Sequence, residues 1–288
     1  MQNKKIAVFG ATGKIGLELI RLLSLAKIDT VAVTRNLRRA VPHPYIEWIE
    51  ADIAHKNSLH AAMKNCSAVF LLSGNSPDFI KEQKNVISTA KELNIQYIVK
   101  LSSGAADKNA HFFIPKTHGI VEDFLIRSGI HYTMLRPNGI MQNWLGDIAN
   151  SVRKERRFHE STGDGKRAHV DARDVSAVAF ACLTNPAKHY DKIYLLTSDR
   201  ALNYYDVAEA ISKAIDEEVR YIPISLQQAR EEMERQGMPA ALVDTFISYD
   251  AAQRNGETQI VTDCVRMILE KPALTVEQFA KDYATHFQ

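Results

Sequence analysis

Gly10-Ala11-Thr12-Gly13-Lys14-Ile15-Gly16 is the first stretch whose residue types and spacing can do chemistry. It lies between a short apolar run and a helical pattern. Gly10 permits a tight turn, Gly13 lets the backbone approach a pyrophosphate, and Gly16 lets the helix pack near the sheet. Thr12, Lys14 and Ile15 share the same loop, and the helix start adds amide donors and a partial positive charge. A simple tight turn is the competing reading of the same glycines.

A dinucleotide held there would meet the end of the second strand. A site for the unphosphorylated coenzyme places Asp or Glu at that end, on the ribose 2′-hydroxyl. This chain has Thr34-Arg35-Asn36, followed by Arg38 and Arg39. A guanidinium matches a 2′-phosphate with bidentate, charge-assisted bonds, and Lys14 adds charge from within the loop. The expected cofactor is therefore NADP(H), with Arg35 as its selector. Otherwise residues 35–39 are a solvated basic turn. Asp52-Ile53 follows the third strand, where the carboxylate faces the adenine amino group and Ile53 packs on the ring, unless Asp52 only caps the next helix. Leu72-Ser73-Gly74 follows the fourth strand and either passes the cofactor ribose or merely turns.

These loops need strands and helices to place them. Runs at 5–9, 30–34, 46–51, 68–73, 97–102 and 131–136 read as strands. The first is mostly apolar, as a strand buried on both faces of a parallel sheet is, and those at 30–34, 68–73, 97–102 and 131–136 are similar to it. Helical spacing separates them: Ile15, Leu19, Ile20, Leu22, Leu23 and Leu25 in one segment; Phe79, Val86, Ile87, Ala90 and Leu93 in another; Ile120, Val121, Phe124 and Leu125 in a third. The alternation predicts an α/β fold, a doubly wound parallel (Rossmann) sheet over residues 1–140. Residues 141–288 are expected to form a smaller, mostly helical C-terminal lobe, set against the sheet's carboxyl edge and with some segments returning to the sheet. Helices are expected at 171–185 and 204–215, with strands at 192–196 and 219–222. Capping boxes at Ser225…Gln228 and Thr275…Gln278 start helices over 225–255 and 275–287.

Composition excludes several function classes. Lys plus Arg (36) nearly balances Asp plus Glu (34), so no global field favours nucleic acid or an anionic membrane. The apolar runs, such as Ala68–Leu72, are far short of the ~20 residues of a membrane span. No secretory leader is expected from the short Ile6–Phe9 run. Three widely spaced cysteines suit a reducing, cytoplasmic compartment better than a disulfide framework. Cys and His spacing offers no metal site. The expected partner is a small-molecule acceptor, and a homodimer is left open.

Five stretches together resemble the NmrA-like branch of atypical short-chain dehydrogenases. They are residues 10–16, Val33-Thr-Arg-Asn36, Leu101-Ser-Ser103, Tyr132-Thr-Met-Leu-Arg-Pro-Asn-Gly139 and His169-Val-Asp-Ala-Arg-Asp-Val175. The resemblance covers nearly the whole chain. It implies a reductase of quinones, imines or dyes using NADPH, or else an NADP-sensing regulator without turnover. The parent family protonates substrate through Tyr-x-x-x-Lys. Here those positions fall on Ile114 and His118, and His118-x-x-x-Glu122 resembles the bacterial quinone- and dye-reductase subgroup. His118 is therefore the candidate catalytic residue, either donating a proton or holding the nicotinamide ribose. An imidazole pKa near neutrality would suit both roles, and Glu122, one helical turn on, is placed to contact it. Ser102 and Ser103 stand where the parent family orients substrate, or else cap a loop. Loss of the tyrosine fits acceptors that are already electrophilic and argues against alcohol dehydrogenation. Pro137-Asn138 is expected along the nicotinamide carboxamide. Asn143 and Trp144 would line the acceptor pocket, with Phe246 and Tyr249 as a lid. Trp144, Phe246 and Tyr249 equally suit a core. Asp171 and Asp174 read as structural, capping and charging the start of the following helix.

Overall fold

The computed structural model describes residues 5–288, and residues 1–4 lie outside it. Nine strands occur among the described residues: β1 (Lys5–Val8), β2 (Thr30–Thr34), β3 (Ile46–Glu50), β4 (Cys66–Leu71), β5 (Tyr97–Leu101), β6 (His131–Pro137), β7 (Arg157–Glu160), β8 (Lys192–Leu196) and β9 (Arg220–Pro223). Seven form one sheet in the order β3-β2-β1-β4-β5-β6-β8. The pairs β1–β2, β2–β3, β1–β4, β4–β5 and β5–β6 are parallel. The order reverses between β1 and β4, the switch point where open α/β sheets bind ligands beyond their strand ends.

The chain forms two compact units. The first takes the residues up to Ala110 together with Pro115–Arg136 and Val175–Leu195. Here the helices α1 (Lys14–Leu25), α2 (Lys56–Met63), α3 (Phe79–Glu92) and all but the first two residues of α4 (Phe113–Arg127) alternate with the strands. Their apolar stripes bury Leu59, Met63, Phe79, Val86, Ile87, Val121 and Leu125 against Val31, Val69, Ile98 and Met134 of the sheet. That fit is why 3.6-residue spacing could be read between apolar runs.

The second unit comprises His111–Ile114, Pro137–Asp174 and Leu196–Gln288. It holds α5 (Asp147–Glu155) and the two-stranded parallel pair β7–β9. Its core gathers Met141, Trp144, Ile148, Phe158, Tyr204, Ile211 and Phe279. The next helix of the chain, α6 (Ala172–Thr184), leads back to β8 in the first unit.

The structure departs from the sequence reading in local detail. β7 was not foreseen, because Arg157-Phe-His-Glu160 buries only Phe158 fully and so carries almost no apolar signal. The helix expected over 225–255 is two, Leu226–Arg235 and Ala240–Arg254. Gly237, at φ +76°, and Pro239 break it. Ser225 makes a complete capping box with Gln228. Thr275 accepts from the Gln278 N–H, but the Gln278 side chain turns to Asp282 instead. No described helix is long and apolar enough to cross a membrane, and no metal-binding cluster occurs among the described residues. Cys66, Cys182 and Cys264 are free thiols.

Candidate cofactor and proton-donor site

The glycine loop leaves β1 at the switch point. Gly10 sits at φ +71°, a left-handed conformation that favours glycine. A Cβ on Gly10 would fall 2.7 Å from Leu72 Cγ, in the loop after neighbouring β4. A Cβ on Gly16 would fall 2.1 Å from the Gly10 carbonyl oxygen. Both positions are closed to any side chain, so α1 starts tight against the loop. Gly13 is the N-cap and carries no capping side chain. The cradle fits a dinucleotide: a narrow turn, backbone open to approach and a helix start not capped by its own sequence. Burial lowers the pKa of the Lys14 ammonium from its ordinary value.

Arg35, Arg38 and Arg39 are exposed just past β2. None forms an ion pair within the described residues. Asn36 caps a single helical turn over Leu37–Arg39 by accepting from the Arg38 N–H at 2.9 Å, which holds the guanidinium-bearing segment as a defined turn. Asp52 accepts from the Ala54 N–H at 2.9 Å, and Ile53 beside it is half-buried. The carboxylate is thus engaged in the local turn ahead of α2. Ser73 accepts from the Gln83 side-chain amide at 3.0 Å, while Gly74 is exposed.

Around the end of β5, five polar side chains converge in a largely dry setting. Lys100 is 0% exposed, His118 8% and Glu122 3%. Lys100 Nζ lies 3.0 Å from His118 Nδ1 and donates to the Leu101 carbonyl at 3.1 Å. The Ser102 hydroxyl donates to Glu122 Oε1 at 2.5 Å. Arg136 Nε donates to the same oxygen at 3.0 Å, and Arg136 Nη2 donates to Oε2. The Phe79 ring stands against the imidazole, with centroids 4.7 Å apart.

This corrects two expectations. Glu122 does not serve His118; its oxygens belong to Ser102 and Arg136. Nor is the imidazole near neutrality. Burial first, then the charges of Lys100 and Arg136, push His118 down to about 2, so it stays neutral at physiological pH. The same burial pulls Lys100 down to about 7, against the attraction of Glu122. The sequence reading missed Lys100 and Arg136. A signal existed for Lys100: a lone cation inside the apolar strand Tyr97-Ile-Val-Lys-Leu101, all of it buried. Ser103 lies next in the chain and is half-buried.

In the second unit, the Asn138 backbone N–H donates to the Leu196 carbonyl and its amide to the Thr258 carbonyl at 2.9 Å. Pro137 precedes it at the end of β6. Asn143 is exposed. Trp144 is no open pocket wall: it is buried against His169, Phe279 and Tyr204, with centroids 4.8, 5.5 and 6.3 Å away. Phe246 and Tyr249 are half-buried on one helix, their rings 6.5 Å apart. Arg167 stands over the Tyr249 ring and donates to its carbonyl. Asp171 accepts from the Arg173 N–H at the start of α6, the cap read from the sequence, whereas Asp174 accepts from the Leu274 N–H.

Known proteins resemble this chain in sequence and in fold. An NAD(P)H azoreductase from Xenophilus azovorans is 32% identical over 284 residues, covering 98% of this chain and 99% of that protein. The crystal structure of an NADPH-dependent quinone oxidoreductase from Escherichia coli, complexed with NADPH, superposes with a TM-score of 0.85. It is 25% identical and covers 96% of this chain and 99% of its own. A triphenylmethane reductase from Citrobacter sp., complexed with NADP(H), shares the fold at a TM-score of 0.81 and 21% identity, with 97% and 99% coverage. The model of the NmrA-like family matches residues 2–278. With its glycine cradle, its strand order and nearly its whole length accounted for, the chain belongs to the NmrA-like family.

Proposed function

We propose that this chain is an NADPH-dependent reductase passing hydride to a planar, electrophilic acceptor of the quinone, imine or dye class. The observation that carries the reading is the neutral, buried His118 held beyond β5, in the same unit as a glycine cradle with no room for side chains. The 32% identical azoreductase supports the reaction class and puts azo dyes among the acceptors to try. When bound, NADPH supplies the hydride.

The chain's own residues do the rest. Residues 10–16 hold the pyrophosphate, and Arg35 selects the 2′-phosphate. Asp52 and Ile53 border the adenine, and Leu72, Ser73 and Gly74 border the ribose. Ser102 is turned toward Glu122, which fixes the end of β5 beside α4. His118, with Nδ1 facing Lys100, keeps its proton on Nε2. It can donate that proton to an acceptor that gains negative charge as hydride arrives. Burial of the network limits competing proton exchange with water. Pro137, Asn138, Asn143, Phe246 and Tyr249 remain candidates for the nicotinamide and acceptor contacts.

The test is NADPH oxidation with menadione, a neutral azo dye and a cationic triarylmethane dye. Turnover with at least one, falling about 10²-fold with menadione in His118→Ala, supports the reading. Tight NADPH binding with no turnover on any acceptor would replace it with a cofactor-sensing protein.

A further inference from the structure

Lys100 has no place in the motifs that mark this chain, yet it is the most completely buried cation of the first unit. Burying an ammonium is costly unless it is paired and hydrogen-bonded. The groups around it are His118 and Glu122 from α4, Arg136 from β6, Phe79 from α3, and the Leu101 carbonyl and Ser102 from its own strand end. The only carboxylate among them, Glu122, is occupied by Ser102 and Arg136. Lys100 is instead aimed at a ring nitrogen, 3.0 Å away.

Below pH about 7 Lys100 is an ammonium, with hydrogens and no lone pair, and His118 Nδ1 accepts from it. Ser102 Oγ, 3.4 Å from the same nitrogen, has spent its one hydrogen on Glu122. With the Lys100 ammonium donating to it, Nδ1 carries no proton, and Nε2 carries it. The tautomer follows from which partner faces which nitrogen.

We propose that Lys100 is the proton reservoir behind His118, reloading the imidazole through Nδ1 as Nε2 releases its proton to the reduced acceptor. The proposal rests on the reductase reading and deepens it. The balance is simple. Hydride from NADPH brings two electrons to a quinone or azo acceptor and leaves an anionic oxygen or nitrogen. The His118 Nε2–H bond breaks and its proton goes to that anion. A Lys100 Nζ–H bond breaks and its proton goes to Nδ1, so the imidazole stays neutral as the other tautomer. Lys100 is left as the free amine until, between turnovers, Nε2 takes a proton from water and the Nδ1 proton passes back to Lys100. The ring then returns to its first tautomer.

The relay predicts a split between acceptors. A quinone or azo bond needs hydride plus a proton. A cationic triarylmethane dye needs hydride alone, because the hydride neutralises its charge. Lys100→Met keeps length and burial while removing the proton. Its kcat with menadione should fall about 10²-fold, with the loss on the cationic dye far smaller. In the wild type, menadione turnover should decline as pH rises through about 7, and dye turnover should not share that step. An independent readout needs no turnover: nitrogen NMR of histidine-labelled protein at pH 6, where Lys100 is an ammonium, should show His118 with an acceptor Nδ1 and a protonated Nε2.

A proton found on Nδ1 overturns the relay, even if Lys100→Met fails to fold. So does a loss of equal size on both acceptors, or none on menadione. Absence of turnover with every acceptor in the wild type would instead sink the reductase reading, leaving the tautomer measurement to judge the Lys100–His118 pairing.

Discussion

Arg136 grips both oxygens of Glu122, one of which also takes the Ser102 hydroxyl. A carboxylate 3% exposed is thereby neutralised by a cation from the neighbouring strand, not by the histidine one turn before it on the same helix. The strand end bearing Ser102 and the helix bearing His118 are tied through that one group.

Removing it should be costly. Glu122→Ala leaves the partly buried Arg136 guanidinium without its anion and Ser102 without its acceptor. Breaking a buried pair from one side costs about 3 kcal/mol. The expected readout is a lower urea midpoint at unchanged slope. Glu122→Gln, which can still accept from Ser102, should lose less. An alanine variant as stable as the wild type would show that the pair contributes nothing.

Coenzyme choice should follow Arg35. Arg35→Asp replaces a phosphate-binding guanidinium with a group that repels phosphate and can accept from a ribose hydroxyl. The ratio of NADPH to NADH affinity should drop at least about tenfold, the worth of one charge-assisted bond. Calorimetric titration of both coenzymes checks this. An unchanged ratio would move selection to Lys14, Arg38 or Arg39.

Stability should depend on pH through Glu160 of the second unit. Burial, reinforced by the charge of Asp250 and opposed by Arg167, pushes its carboxyl up to about 8. A folded value above the unfolded one means that the native state holds the proton more tightly. That stabilisation is full below the unfolded value, ordinarily near 4.5, and is lost as pH rises through about 8. Glu160→Gln should flatten melting temperature against pH over this window and leave the variant the more stable form at its upper end. A slope identical to the wild type would mean that Glu160 already ionises freely in the folded protein.

Much of this protein was legible in its residues alone, for a local reason. A glycine triplet between an apolar run and a helical stripe needs no distant contact to be read, because turn, close approach and helix start all lie within seven positions. The same locality made the strand-and-helix alternation visible, and with it the doubly wound sheet. The basic turn at Arg35 stood out because an acid was missing from a place defined by chain distance.

Tertiary packing decided the rest. Lys100, His118, Ser102, Glu122 and Arg136 come from β5, the residue after it, α4 and β6. Helical spacing paired His118 with Glu122, and only the parallel register of β5 with β6 brings Arg136 in to claim that carboxylate. The charge state of His118 was equally out of reach, because it depends on burial and on a cation 18 positions away in the chain. Trp144 read alike as pocket wall and as core until Phe279, from the far end of the chain, closed over it. Chemistry set by neighbours along the chain can be read from sequence; chemistry set by dielectric and by partners on other elements is decided when the sheet assembles.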